Sequence, residues 1–419
     1  VSPNALGNVF MNSWGGNVNA YASAFSVEQN LNIDTNFYAR TWEYLFATTV
    51  TLEDIINYDS PNYDNHKAIA KIVKAYYFQY LVDLYGDIPY SQAHKSSIPF
   101  PAYDDDEQVY RDLLVQLKSA IDLIDNAPTS TIMPSSEDVV YNGDMDSWKK
   151  LANTLKLKLL MRESNRAASQ AYVSQEILNA VNSGIGFIDE DVTLNPGYGS
   201  GNLDQQNPFY NSYGFLVDEV TAVQGYASTR ATKHATDFLS GITTSVSDER
   251  IGKIFNFATN GVTTLPSYQG IIQGEDGATA NPFLSPIGTG LVKSSAQDGY
   301  LMLAAESYLL QAEAIEKGYM SGDAKNMFEN AIKKSFTFYG LTVAQADTYI
   351  SNSANTNKLG WDGSANKTEA IMTQKWIALM GTNGAESWIE YTRTGFPVTP
   401  LSLSAQFPTK PKRLMYPAS

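Results

Sequence analysis

The chain has 419 residues, 43% hydrophobic and only 17% charged, a composition that folds and lacks the charge excess of a disordered chain. Acidic residues outnumber basic ones by 44 to 29, for a net charge of −15, and the basic residues are scattered; nucleic acid is excluded as a partner for want of a positive footprint. Cysteine is absent, which removes disulfides, thiolate metal sites and cysteine nucleophiles, and no apolar run reaches the length of a membrane span.

At this length two lobes, or a repeat with an elaborated side, are expected rather than one core. Because the sequence begins at Val1 rather than Met, an export or lipid-attachment segment is expected upstream. Ile69, Ile72, Val73, Tyr76, Tyr80 and Leu84 recur at helical spacing over 66–85, and Gly86 with Pro89 stops that helix. Asp104, Asp105 and Asp106 stand at the start of the next, whose stripe is Tyr110, Leu113, Leu114, Leu117, Ile121 and Ile124. A third helix covers 147–164, with Trp148, Leu151, Leu155 and Leu159 on one stripe, and a fourth 174–182.

Two stretches of another character follow, 193–228 and 256–295, rich in Gly, Asn, Ser, Pro and Tyr. They read as long loops with short strands, and irregular aromatic-rich segments of this length are the first place to seek a site. Between 300 and 335 two helices are separated by Gly318 and Gly322. Tyr308, Ala312, Ala324, Phe328 and Ala331 fall at the aromatic and small offsets of a tetratricopeptide unit, while Gln311 and Phe336 depart from it. Helices over 368–380 and 384–391 and a Pro-rich tail close the chain.

No catalytic constellation stands out along the sequence. His66, His94 and His234 are scattered and read as surface or core histidines rather than zinc ligands. Gly197 to Gly201 has the wrong spacing for a nucleophile elbow, and Gly288-Thr289-Gly290 lacks the third glycine of a dinucleotide loop. Asp104 to Glu107, and Asp144 with Asp146 near Asn142, are oxygen-rich groups that a structural calcium could use; both stand where helices start, so capping explains them and no metal or cofactor is expected. A glycosidase needs two suitably separated carboxylates, and nothing singles out two among the 44 acids, so no catalytic residue is assigned.

Five segments together resemble the SusD/RagB family of outer-membrane nutrient-binding lipoproteins, in its SusD-like branch. They are Ala70 to Tyr90, ending in Y-G-D-I-P; Tyr103 to Ala120; Trp148 to Arg162; Tyr300 to Ala314 followed by Gly322-Asp323-Ala324; and Glu386 to Pro397, with Pro411 to Pro417 beyond it. Thr392 stands where the family pattern has the first of two arginines, and Lys156 or Lys158 where arginine is common. The residues carrying the likeness are Tyr85, Gly86, Asp87, Pro89, Trp148, Asn153, Arg162, Glu306, Glu313, Trp388, Arg393, Gly395 and Pro397, and each is read as structural.

The resemblance implies a mostly α fold: a tetratricopeptide-like paired-helix, α/α superhelical scaffold with a loop-rich subdomain containing short strands. Residues 1–419 are expected to form one such unit, the scaffold mainly 36–185 and 300–340, the loop-rich ligand-binding part mainly 1–35, 190–299 and 340–419. It further implies a non-catalytic, cell-surface lipoprotein of the outer membrane, anchored by an N-terminal lipid, which captures an oligosaccharide or polysaccharide and delivers it to a SusC-like TonB-dependent transporter. Capture of a peptide or another nutrient by the same arrangement, and a tetratricopeptide-like protein–protein scaffold, are the alternatives. Sugar capture calls for flat aromatic faces with amide or guanidinium groups beside them. Trp14 and Asn17, Trp42, Tyr198, Tyr210, Tyr213, Tyr226 with Arg230, and Tyr268 are the candidates.

Overall fold

In the computed structural model, which describes residues 2–17, 25–260, 262–276 and 279–418, helices dominate and strands are short. In chain order the elements are α1 (Pro3–Phe10), β1 (Trp14–Gly15), α2 (Ser26–Asn30), α3 (Ala39–Ile56), α4 (Asp64–Tyr85), α5 (Asp106–Asp125), α6 (Met145–Glu163), α7 (Gln170–Asn182), β2 (Val192–Leu194) and α8 (Pro208–Tyr213). They continue with α9 (Gln224–Ser228), β3 (Arg230–Ala231), α10 (Lys233–Leu239), α11 (Ile251–Ile254), β4 (Gly299–Met302), α12 (Ala304–Glu316), α13 (Ala324–Phe338), α14 (Val343–Ser353), α15 (Lys367–Leu379) and α16 (Gly384–Thr394). Helix starts follow the side-chain acceptors in the sequence. Asp105, Asp144, Asp323, Asn366 and Asn383 each accept a backbone N–H of the following first turn, and Thr342 with Gln345 forms a capping box.

The chain forms two compact units. One comprises Asp34–Asp189, Lys317–Gly322 and Pro411–Ser419. Within it α3 packs on α4, α4 on α5, α5 on α6 and α6 on α7, a run of neighbouring helix pairs. Helix α6 is buried on nearly every side, so its polar members need partners. Asn153 donates to the carbonyls of Ala180 and Gly186 at 3.1 and 2.9 Å, and Arg162 Nε donates to both carboxylate oxygens of Asp83 at 3.2 and 3.1 Å.

The other unit comprises Val1–Ile33, Glu190–Glu316 and Asp323–Lys410. The hairpin of α12 and α13, which the sequence pattern groups with the earlier helices, takes its neighbours here: α12 packs on α15 and α13 on α14. Helix α1 lies against α16 at a distance only glycine allows, since a Cβ on Gly7 would sit 1.9 Å from the Gly384 carbonyl oxygen. Two small antiparallel pairs, β1 with β3 and β2 with β4, tie the irregular segments together.

Candidate functional site

The scaffold motifs turn inward. Helix α15 is buried from Ala370 to Leu379, so Lys375 cannot reach water and instead lies 3.0 Å from Glu386, 2.6 Å from Glu390 and 3.9 Å from Glu306. Arg393 makes a two-pronged contact with Glu313 at 2.8 and 2.7 Å and a further one with Glu390 at 2.6 Å. Trp388 packs edge-on against Phe10 with ring centres 5.1 Å apart, and Trp148 Nε1 donates to Asp138 at 2.8 Å. Gly86 and Gly395, at φ +84° and +80°, end α4 and α16, Asp87 accepts the Asp106 N–H, and Phe396–Pro397 is a cis peptide. Tyr85 is fully buried and Pro89 follows the bridge that Ile88 makes to Asp104. Most of these polar atoms are engaged within the fold.

The candidate ligand residues divide by burial. Trp14 is not the open platform its sequence neighbours suggest: β1 pairs with β3, placing Trp14 opposite Ala231, and the ring is wholly buried 5.1 Å from Tyr213 and 6.5 Å from Phe209. Tyr210 and Tyr213 are likewise buried in α8, and burial pushes the Tyr213 hydroxyl up to about 12. All three are core aromatics and offer no open face. Trp42 belongs to the other unit, half-buried in a ring cluster with Phe46, Tyr85, Tyr103 and Tyr416. Tyr198 sits in the turn after β2, its N–H donating to Asn195.

Asn17, Tyr226, Arg230 and Tyr268 do converge, on the segment 256–283. Arg230 is buried; its Nε donates to the Asn281 carbonyl and Nη1 to the carbonyls of Tyr226 and Thr229, all at 2.7 Å. Burial holds its pKa down, to about 10. From the other side the Asn17 N–H donates to Asn281 Oδ1 at 3.2 Å and its amide to the Thr279 carbonyl at 3.3 Å. Arg230 and Asn17 thus hold the backbone at Thr279 and Asn281.

Other aromatic residues of this neighbourhood are partly exposed. Tyr226, half-buried against Phe215 at 4.9 Å, meets the Asn256 amide at its hydroxyl, 3.4 Å away. Tyr268 stacks obliquely on Phe257 at 4.6 Å, and Phe257 and Phe283 are 41% and 44% exposed, high for phenylalanine in a braced loop. Thr259 ties the two arms by donating to the Pro282 carbonyl at 2.8 Å, while Asn260 and Gln269 are exposed on the same segment. Sequence reasoning passed over Phe257, Phe283, Asn256 and Asn260, although all fall inside the 256–295 stretch; no periodicity there separates an outward phenylalanine from an inward one. An aromatic surface flanked by amides can hold a polar molecule with one apolar face.

Carboxylates close enough to share one cation occur elsewhere. Asp87, Asp105 and Asp106, all exposed, bring oxygens within 4.8 Å of one another, and partial desolvation of the Asp106 carboxyl, with the charge on Asp87, raises its pKa. Asp105 and Asp144 are helix caps, as their positions predict.

A family profile described as SusD-like, starch-binding and associating with the outer membrane matches residues 7–417. Similar solved structures include a chitin-binding protein with 24% identity and a TM-score of 0.77, covering 98% of this chain and 87% of that one. A chitin-binding SusD homologue from Flavobacterium johnsoniae has 24% identity and a TM-score of 0.76 over 96% and 83% of the two chains. A SusD homologue from Bacteroides uniformis has 25% identity and a TM-score of 0.72 over 95% and 83%. No curated protein matches the sequence.

Proposed function

The chain belongs to the SusD-like family of starch-binding proteins that associate with the outer membrane, and from that premise we propose that it captures oligosaccharide at the cell surface without transforming it. The family match across residues 7–417 is the observation that carries this reading. The loop cluster supplies the means: sugar rings lie on Phe257 and Tyr268, with Phe283 and Tyr226 beside them, and Asn256, Asn260 and Gln269 take the hydroxyls.

In this reading the protein is anchored by an N-terminal lipid and passes its ligand to a SusC-like TonB-dependent transporter. No helix among the described residues is long and apolar enough to cross a membrane, which is compatible with lipid anchoring. Calorimetric titration with starch- and chitin-derived oligosaccharides tests capture: saturable binding to one of them without release of reducing ends is expected, and uniform absence of binding contradicts it. Co-purification of a transporter from outer membranes tests delivery.

A further inference from the structure

The helical unit contains a cavity of about 310 Å³ between α3, α4, α5 and the segment after Pro89, lined by Glu53, Lys71, Lys74, Tyr90, Lys95, Asp112 and Gln116 among others. Three ammonium groups and two carboxylates face it, 3 − 2 = +1. Both carboxylates are supplied with donors from the protein. Glu53 pairs with Lys74 and accepts the Asn57 amide at 3.0 Å; Asp112 accepts the Tyr90 hydroxyl at 2.5 Å and the Gln116 amide at 3.2 Å.

The lysines are not matched in the same way. Lys71 Nζ, half-buried, donates to the neutral Gln116 Oε1 at 2.8 Å, and among the described residues no carboxylate oxygen lies within 4 Å of it. Lys95, exposed at the rim, makes no side-chain hydrogen bond or ion pair among the described residues. An ammonium has three donors and no acceptor, so the unused capacity of the wall is almost all donor capacity, on cations. Burial and the neighbouring Lys74 hold the Lys71 pKa down, a cost that a bound anion removes.

We propose that this cavity is a second ligand site, separate from the loop cluster, that takes a small hydroxylated carboxylate about the size of one uronic acid ring. The volume stands at the lower end of small-molecule sites, which limits the ligand to roughly one ring. The single excess positive charge suits a monoanion, and Lys71 with Lys95 receives its carboxylate while Asn57, Ser91 and Gln116 meet hydroxyls. This site does not depend on the loop reading, because every residue in it belongs to the helical unit.

Titration of the full chain at low salt with glucuronate, glucose and inorganic phosphate tests the proposal. Glucuronate is expected to bind at least tenfold more tightly than either of the others. Lys71→Met should weaken it at least tenfold and Lys95→Ala about threefold, while Tyr268→Ala leaves it unchanged. Glucose or phosphate binding as tightly as glucuronate, no heat with glucuronate, or lysine variants that bind like the unaltered protein would each overturn it. Should Lys71→Met fail to fold, Lys95→Ala decides the matter, since its side chain is exposed and its loss leaves the packing intact.

Discussion

The buried ion network of α12, α15 and α16 and the loop over 256–283 belong to the same unit and treat their polar atoms in opposite ways. In the network, Lys375 and Arg393 are surrounded by Glu306, Glu313, Glu386 and Glu390, all nearly inaccessible; Lys375 pairs with Glu386 and Glu390, and Arg393 with Glu313 and Glu390. In the loop, Arg230 and Asn17 spend themselves on backbone carbonyls and the neighbouring amide, leaving Phe257, Tyr268 and Phe283 with Asn260 and Gln269 toward water. The difference teaches where recognisable sequence and ligand choice part company. Residues that hold a scaffold are constrained by each other and form motifs; residues that meet a ligand are constrained by something outside the chain.

The contrast is broken most forcefully at Arg393. Arg393→Ala leaves Glu313 and Glu390 buried with one charge partner fewer, and about 3–5 kcal/mol of stability should be lost, read from urea unfolding. A loss under about 1 kcal/mol would mean that the network is wetter than its burial indicates.

Acid should find the scaffold next. His234 lies against Trp376 with ring centres 5.5 Å apart, and burial, with the nearby charge of Lys410, lowers its pKa to about 4. The unfolded chain, with its histidine near 6.5, therefore binds the extra proton between those values. Stability falls as pH falls from 6.5 toward 4, by about 2 kcal/mol after allowance for partial exposure. His234→Phe should flatten that part of the stability curve, and an unchanged slope would assign it to carboxylates instead.

The loop side of the comparison is sharpened by Tyr268→Ala. Oligosaccharide affinity should fall about tenfold, or about 1.4 kcal/mol, with the unfolding midpoint essentially unmoved. The smallest expected effect is at Asn366, whose side chain accepts the Glu369 N–H at the start of α15 at 3.2 Å. Asn366→Ala should cost about 1 kcal/mol of stability and leave sugar affinity untouched.

How much of this is legible in the sequence follows the same division. The helices that became α4 to α7, α12, α13, α15 and α16 announce themselves by stripes, acidic caps and glycine stops. Helix α3 does not announce itself, because its apolar residues mark no single buried face: Thr41 and Thr49 are its buried members while Tyr44, Val50 and Ile55 are exposed. The approach of α1 to α16 depends on Gly7 and Gly384, far apart in sequence, and nothing local to either reveals it. Trp14 was misleading for a related reason. Its Asn neighbours look like a loop, but pairing with a strand more than two hundred residues later buries it. Of the candidate residues, Asn17, Tyr226, Arg230 and Tyr268 meet at one loop, two of them holding its backbone, and the exposure of Phe257 and Phe283 becomes visible only when the loop is folded.

A crystal structure of the protein with a bound starch- or chitin-derived oligosaccharide tests the central claim most directly. A sugar ring should lie on Phe257 and Tyr268, with hydroxyls held by Asn256, Asn260 or Gln269 and the Lys375–Arg393 network undisturbed. An oligosaccharide seated instead on the Trp42 ring cluster of the helical unit, with the loop empty, would contradict it.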